Sequence, residues 1–204
     1  MATQAERRRE TIGVLDNAAQ SLFETRGFTP TTVDDIANQA GVAKGAFYHH
    51  YESKEAIFTM VLERIQSALA REVAGAAVKG TTPVATLRLG LRAYIEACER
   101  PGVRQVLLRD GPSVLGWVRW REIDDKYFGE MTRGAVAAAL GPQSKLIHVH
   151  AVAALIAGAF AEAAMASAAG SKFKSKDLVA AMDLLLEGLE RPKVAQAPRR
   201  RAKN

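Results

Sequence analysis

The sequence predicts an all-α protein, and three observations carry that reading. Apolar residues recur at helical spacing along nearly the whole chain, with Gly and Pro as punctuation. No alternating strand pattern survives at any length. Residues 31–58, TTVDDIANQAGVAKGAFYHHYESKEAIF, read as a helix, a tight glycine turn, a second short helix and the start of a third.

Taken in order, Ile12, Leu15, Ala19, Leu22 and Phe23 mark a first amphipathic helix that stops at Gly27. Thr32 is placed to cap the next helix, with Asp35 three residues on as the acid of a capping box. Val33, Ile36, Ala37 and Ala40 share one face of it, and Gly41 follows where a left-handed residue ends a helix. Val42 and Phe47 supply the apolar contacts that hold a second helix across the first. Small Ala37 allows the close approach, Gly41 makes the turn, and Phe47 fills the angle, which is the logic of a helix-turn-helix.

Beyond it, Ser53 caps a longer helix striped by Ile57, Phe58, Val61, Leu62, Ile65 and Leu69, fading near Gly75. Thr82 and Pro83 form a cap and first-position pair. The helix they open carries Leu87, Leu91, Tyr94, Ile95 and Cys98 and ends at Pro101-Gly102. Residues 102–116 read as a broken region with a short apolar run and then Asp110-Gly111-Pro112. Trp117 to about Leu140 is a further helix, closed by Gly141-Pro142. Ser144 opens a long helix to about Ala169, and Ser175 opens the last, with Leu178, Met182, Leu185, Leu186 and Leu189.

Twenty residues, 151–170, contain a single charge and test as a membrane span. Eleven of them are Ala, and Glu162 sits at the centre, where an acid is costly in lipid. The expectation is a fully buried helix with close backbone approach to its neighbours, and no membrane partner.

Net charge is +6, but six basic residues and no acid lie within 191–204. The remaining basic residues balance the acids, and residues 1–58 hold six basic residues against eight acids. Phosphate binding therefore depends on local placement of Arg7, Arg8, Arg9, Lys44 and Lys54 rather than on overall charge. Arg7, Arg8 and Arg9 precede the first apolar stripe and suit either an arm along the DNA or a solvated helix start. The single cysteine, Cys98, cannot form an internal disulfide and reads as a small core residue. With no signal-like opening, the cytoplasm is the expected compartment.

The run AGVAKGAFYHHYESKEAIF resembles the DNA-binding signature of the TetR family, tetracycline-repressor-like bacterial regulators. About the first sixty residues carry the resemblance, and Ala46 departs from it where many relatives have Ser or Thr. The resemblance implies three parts: residues 1–53 as a helix-turn-helix DNA-binding domain, 54–190 as a helical ligand-binding and dimerisation domain, and 191–204 as a basic, disordered tail. It implies a homodimer, paired through the last two helices, that represses transcription from a pseudo-palindromic operator on double-stranded DNA. Release by a small, largely apolar effector is part of the same plan.

By position, Lys44, Gly45 and Ala46 would face base edges, and Tyr48, His49, His50 and Lys54 would approach phosphates, with Arg8 and Thr32 beside them. Lysine can donate to guanine or phosphate, and the alanine methyl can meet a thymine methyl. An apolar cavity with a few orienting polar groups is expected among Tyr94, Cys98, Arg109, Trp117, Trp120, Tyr127, Phe128, Met131, Phe160 and Glu162. For any one of these residues core packing is the better reading, and the family plan implies that some of them border a cavity.

Catalysis finds little support. His148 and His150 lie about 200° apart around a helix and cannot chelate one metal from one face. No glycine-rich phosphate loop follows a strand, so no cofactor is expected. Two other classes stay open: a helical small-molecule carrier or sensor with little sequence-specific DNA binding, and a helical enzyme.

Overall fold

The computed structural model describes residues 3–145, 148–168 and 175–190. Helices α1 (Gln4–Arg26), α2 (Val33–Ala40), α3 (Lys44–His50), α4 (Lys54–Ala77) and α5 (Pro83–Glu99) come first. Helix α6 (Pro101–Val103), a π-helical stretch (Arg104–Asp110) and α7 (Gly111–Leu115) then run on from one another. Helix α8 (Trp117–Leu140), a 3-10 turn (Gly141–Lys145), α9 (Val149–Ala168) and α10 (Ser175–Glu190) complete the order. The described residues contain no strand.

Local chemistry sets most of the helix starts. Thr32 Oγ1 accepts from the Asp35 amide at 3.0 Å, and the Asp35 carboxylate accepts from the Thr32 amide at 2.8 Å. Ser53 and Thr82 cap α4 and α5 through their hydroxyls. Gly41 stands at φ 68° in the left-handed region, so α2 ends there and α3 crosses it. Arg7, Arg8 and Arg9 are not an arm: a Thr3–Glu6 capping box starts α1 ahead of them and makes them helical.

Leu15, Ile36 and Phe47 are wholly buried where α1, α2 and α3 meet. Phe23, Phe28 and Phe58 pack ring on ring behind them, with edge contacts of 5.3 and 5.1 Å to Phe58. From Phe58 the core continues without interruption along Leu62 and Leu69 of α4 to Tyr94, Val106 and Trp120. Helix α4 thus belongs to both ends of the molecule. Behind it α5 packs on α8 and α10, and α8 packs on α9.

Residues 102–115 are helical rather than broken, and the run ends at Gly116, φ 76°. In the π register the Gly111 amide bonds the Val106 carbonyl, five residues back. The Leu107 carbonyl would then need the amide of residue 112, which is proline and has none. The indole of Trp120, fully buried, donates to that carbonyl at 2.9 Å instead.

Helix α9 also differs from expectation. Among its described side chains only the alanine side (Ala153, Ala161, Ala163, Ala164) is buried, whereas Leu155 is 75% exposed. By length and composition α9 could cross a membrane, yet that alanine side packs within the helical core and Glu162 is exposed. Helix α10 likewise leaves Leu184 and Leu185 exposed at 72% and 64%. The start predicted at Ser144 falls instead at Val149, because Gly141 at φ 52° and Pro142 tighten residues 141–145 into a 3-10 turn. Residues 191–204 lie outside the described residues.

Candidate nucleic-acid interface and effector cavity

Helix α3 presents one buried and one open face. Phe47 is its buried plug, and Lys44, Gly45, Tyr48 and His49 are exposed. Tyr48 stands edge-on to Phe47 at 5.3 Å, which holds an otherwise solvated ring in one orientation. Lys44 Nζ donates to Asp34 of α2 at 2.9 Å, and that bond raises its ammonium above the ordinary lysine value. Thr32 spends its hydroxyl on Asp35. At the far end of α3, His49 and His50 share a groove with Arg7, Arg8 and Thr11 of α1. Partial burial, with His49 and Arg8 close by, holds the His50 imidazole below the ordinary histidine range. Its Nδ1 has no partner.

Lys54 is used differently from the sequence expectation. Its ammonium donates to the Phe28 and Thr31 carbonyls at 2.8 and 2.7 Å and lies 4.1 Å from the Phe28 ring centre. Burial pushes its pKa down against the pull of Asp110. These contacts make it a brace for the turn between α1 and α2. Asp110, in turn, accepts from the Phe28 amide at 2.8 Å and from Gln105 Nε2 at 3.1 Å. Gly27, at φ 84°, permits this approach, since a Cβ there would lie 2.8 Å from Gln105 Nε2. The π-helical stretch therefore grips the end of α1.

A cavity of about 60 Å³ lies among α4, α5, α8 and α9. Leu87, Leu91, Tyr94, Phe128, Met131 and Phe160 form its apolar wall, and Asp124 stands on its lining. Asp124 is 6% exposed. Its Oδ2 accepts from Arg121 at 3.0 Å, and its Oδ1 lies 3.4 Å from Gln66 Nε2. Burial raises its carboxyl above the ordinary aspartate range, against the opposing pull of Arg121 and Gln66. Gln66 is wholly buried, and its Oε1 has no partner. Nearby, burial pushes the Cys98 thiol up to about 12, which leaves it unreactive.

Two family models match these two regions. The model described as bacterial regulatory proteins, tetR family, covers residues 16–61, and the tetracyclin repressor-like C-terminal domain covers residues 84–189. The chain belongs to the TetR family. Over 92 residues it is 34% identical to the HTH-type transcriptional repressor KstR2 of Mycolicibacterium smegmatis, 45% of each chain. It is 37% identical over 82 residues to the repressor DhaR of a Mycobacterium species, 40% of this chain and 41% of that one. The matches span less than half the length of these curated relatives. The crystal structure of a TetR-family transcriptional regulator from Pectobacterium atrosepticum is 28% identical, with TM-score 0.74, covering 92% of this chain and 97% of that one.

Within this TetR-family chain, four of the predicted cavity residues line the space: Tyr94, Phe128, Met131 and Phe160. Cys98 is packed behind Tyr94. Trp120 is core, held by Leu107, and Trp117 is 54% exposed against it. Tyr127 turns its hydroxyl to Glu63 at 3.2 Å, and Arg109 and Glu162 are exposed. Arg109, Trp117, Trp120, Tyr127 and Glu162 are therefore corrected to positions outside the cavity: helical phase carries them to other faces. Asp124 also lines the space, although the sequence expectation lacked it. A signal existed, since Asp124, Phe128, Met131 and Ala135 follow one helical stripe, with an acid inside an apolar face.

Proposed function

We propose that the chain is a homodimeric, cytoplasmic transcriptional repressor. Each protomer would place α3 in a major groove of a pseudo-palindromic operator. Residues 1–53 would serve as the DNA-binding unit and 54–190 as the effector-binding and dimerising unit. The observation that carries this is the exposed face of α3 on a fully packed helix-turn-helix, flanked by arginines of α1. Lys44, Gly45 and Ala46 would meet base edges, with Lys44 exchanging Asp34 for DNA. Tyr48, His49, His50 and Arg8 would meet phosphates, and Thr32 would sit beside them at the start of α2. Exposed Leu155, Leu184 and Leu185 support pairing through α9 and α10.

A small, largely apolar molecule in the cavity would favour a spacing of the two α3 helices that mismatches the operator. It can do so only by binding that state more tightly. The path from cavity to head is physical: α8 holds Leu107 through Trp120, and Asp110 holds the end of α1. Fluorescence anisotropy on duplexes from the DNA upstream of the gene, across a salt series, tests the reading. A duplex bound well above shuffled DNA, with salt-dependent affinity, is expected. No preference at any salt would favour the carrier or sensor alternative.

A further inference from the structure

Asp124 is the one charged side chain among the described residues that line the cavity. From behind the lining, Gln66 directs its amide NH₂ at Asp124 and Arg121 donates to it. Asp124 Oδ1 is therefore served only by a long 3.4 Å contact, which leaves a buried, weakly paired acceptor on the lining. A buried acceptor without a partner is costly and rare in a native protein. Thr86 and Thr132 also line the cavity, but a hydroxyl can donate or accept and so selects neither sense.

Resting on the cavity as the effector site, we infer that the effector is a neutral, mainly apolar molecule bearing a hydroxyl or N–H that donates to Asp124. Size, charge and polarity each narrow the class. At about 60 Å³ the space is well under half of an apolar cavity that holds benzene. A molecule of one ring and a short chain must therefore push its walls outward. An anion would bring a second negative charge against Asp124 with little water to screen it. A cation would meet a carboxylate that Arg121 already pairs, at 3.0 Å, and would leave a surplus positive charge buried. A neutral donor costs neither penalty and can approach Asp124 Oδ1 more closely than the 3.4 Å contact it has.

Calorimetry on the full chain tests this with four shape-matched probes: para-ethylphenol, para-ethylanisole, para-ethylbenzoate and para-ethylbenzylamine. The phenol should bind at least about tenfold tighter than its methyl ether, the scale of one hydrogen bond to a charged acceptor. The benzoate should bind most weakly. Asp124→Leu should bring phenol and ether within about threefold of each other, with Asp124→Asn narrowing the gap in the same direction should Asp124→Leu not fold. Ala157→Leu, which fills the space, should abolish binding of both. Equal binding of phenol and ether to the wild type would refute the donor requirement while leaving the cavity as a site. Tightest binding of benzoate or amine would also refute it. No binding by any probe, or binding untouched by Ala157→Leu, would overturn both the inference and the cavity assignment.

Discussion

Replacing Trp120 with Phe tests the account of the π-helical stretch, because it removes one donor from a position that has no substitute. Trp120 is fully buried and its indole N–H is 2.9 Å from the Leu107 carbonyl. The backbone donor due at position 112 is missing because Pro112 occupies it. Losing the indole strands a buried carbonyl, at about 1–3 kcal/mol. The smaller ring also leaves a void of roughly 40 Å³, worth about 1 kcal/mol at the usual cost per unit of cavity volume. Trp120→Phe should therefore destabilise by about 2–4 kcal/mol, read as a lower midpoint in urea unfolding with an unchanged slope. Pro112→Ala restores an amide at the position that needs it. Introduced into the Trp120→Phe protein, it should recover about 1 kcal/mol, while alone it should have a much smaller effect. A Trp120→Phe cost below about 1 kcal/mol, or a double variant whose loss is the simple sum of its parts, would refute the hydrogen-bond argument.

Three further outcomes are expected. Lys44→Ala should weaken operator binding and lower the log–log salt slope by about 0.7–0.9 if Lys44 meets a phosphate, or relax base preference at an unchanged slope if it meets a base; a folded variant with neither change removes Lys44 from the interface. Leu185→Glu should cost the single chain little, since the residue is 64% exposed there, but should weaken a dimer by several kcal/mol by burying a carboxylate. Sedimentation decides it, and a variant that stays fully dimeric places the interface elsewhere. Burial holds the Asp124 carboxyl above its ordinary value, so the folded state binds that proton more tightly than the unfolded state. The stability of the wild type relative to Asp124→Asn should be greatest below the ordinary aspartate pKa of about 3.9 and should decline as pH rises through the raised folded value. Thermal melts of both proteins over a pH series check it; a relative gain with rising pH would mean that Arg121 outweighs burial.

What could be read from the sequence was local. The Thr32–Asp35 capping box, the turn at Gly41, and the Ser53 and Thr82 caps each depend on residues within four or five positions of one another. Spacing shows such contacts directly, and the all-α plan follows from repeating them along the chain. Facing partners were another matter. Whether Lys54 reaches DNA or the Phe28 carbonyl depends on where α1 ends relative to α4. Whether 102–116 is broken or helical depends on an indole supplied from the next helix. Alanine on every side of α9 hides which side is buried, because small side chains give periodicity little contrast. The cavity shows the same division. An acid among the apolar residues of α8 is visible at Asp124, but only packing puts Gln66 of α4 against it and leaves one oxygen unpaired. Local backbone chemistry thus determined where the helices begin and turn, whereas the packing of side chains distant in sequence decided which polar groups are spent on the fold and which remain free to bind.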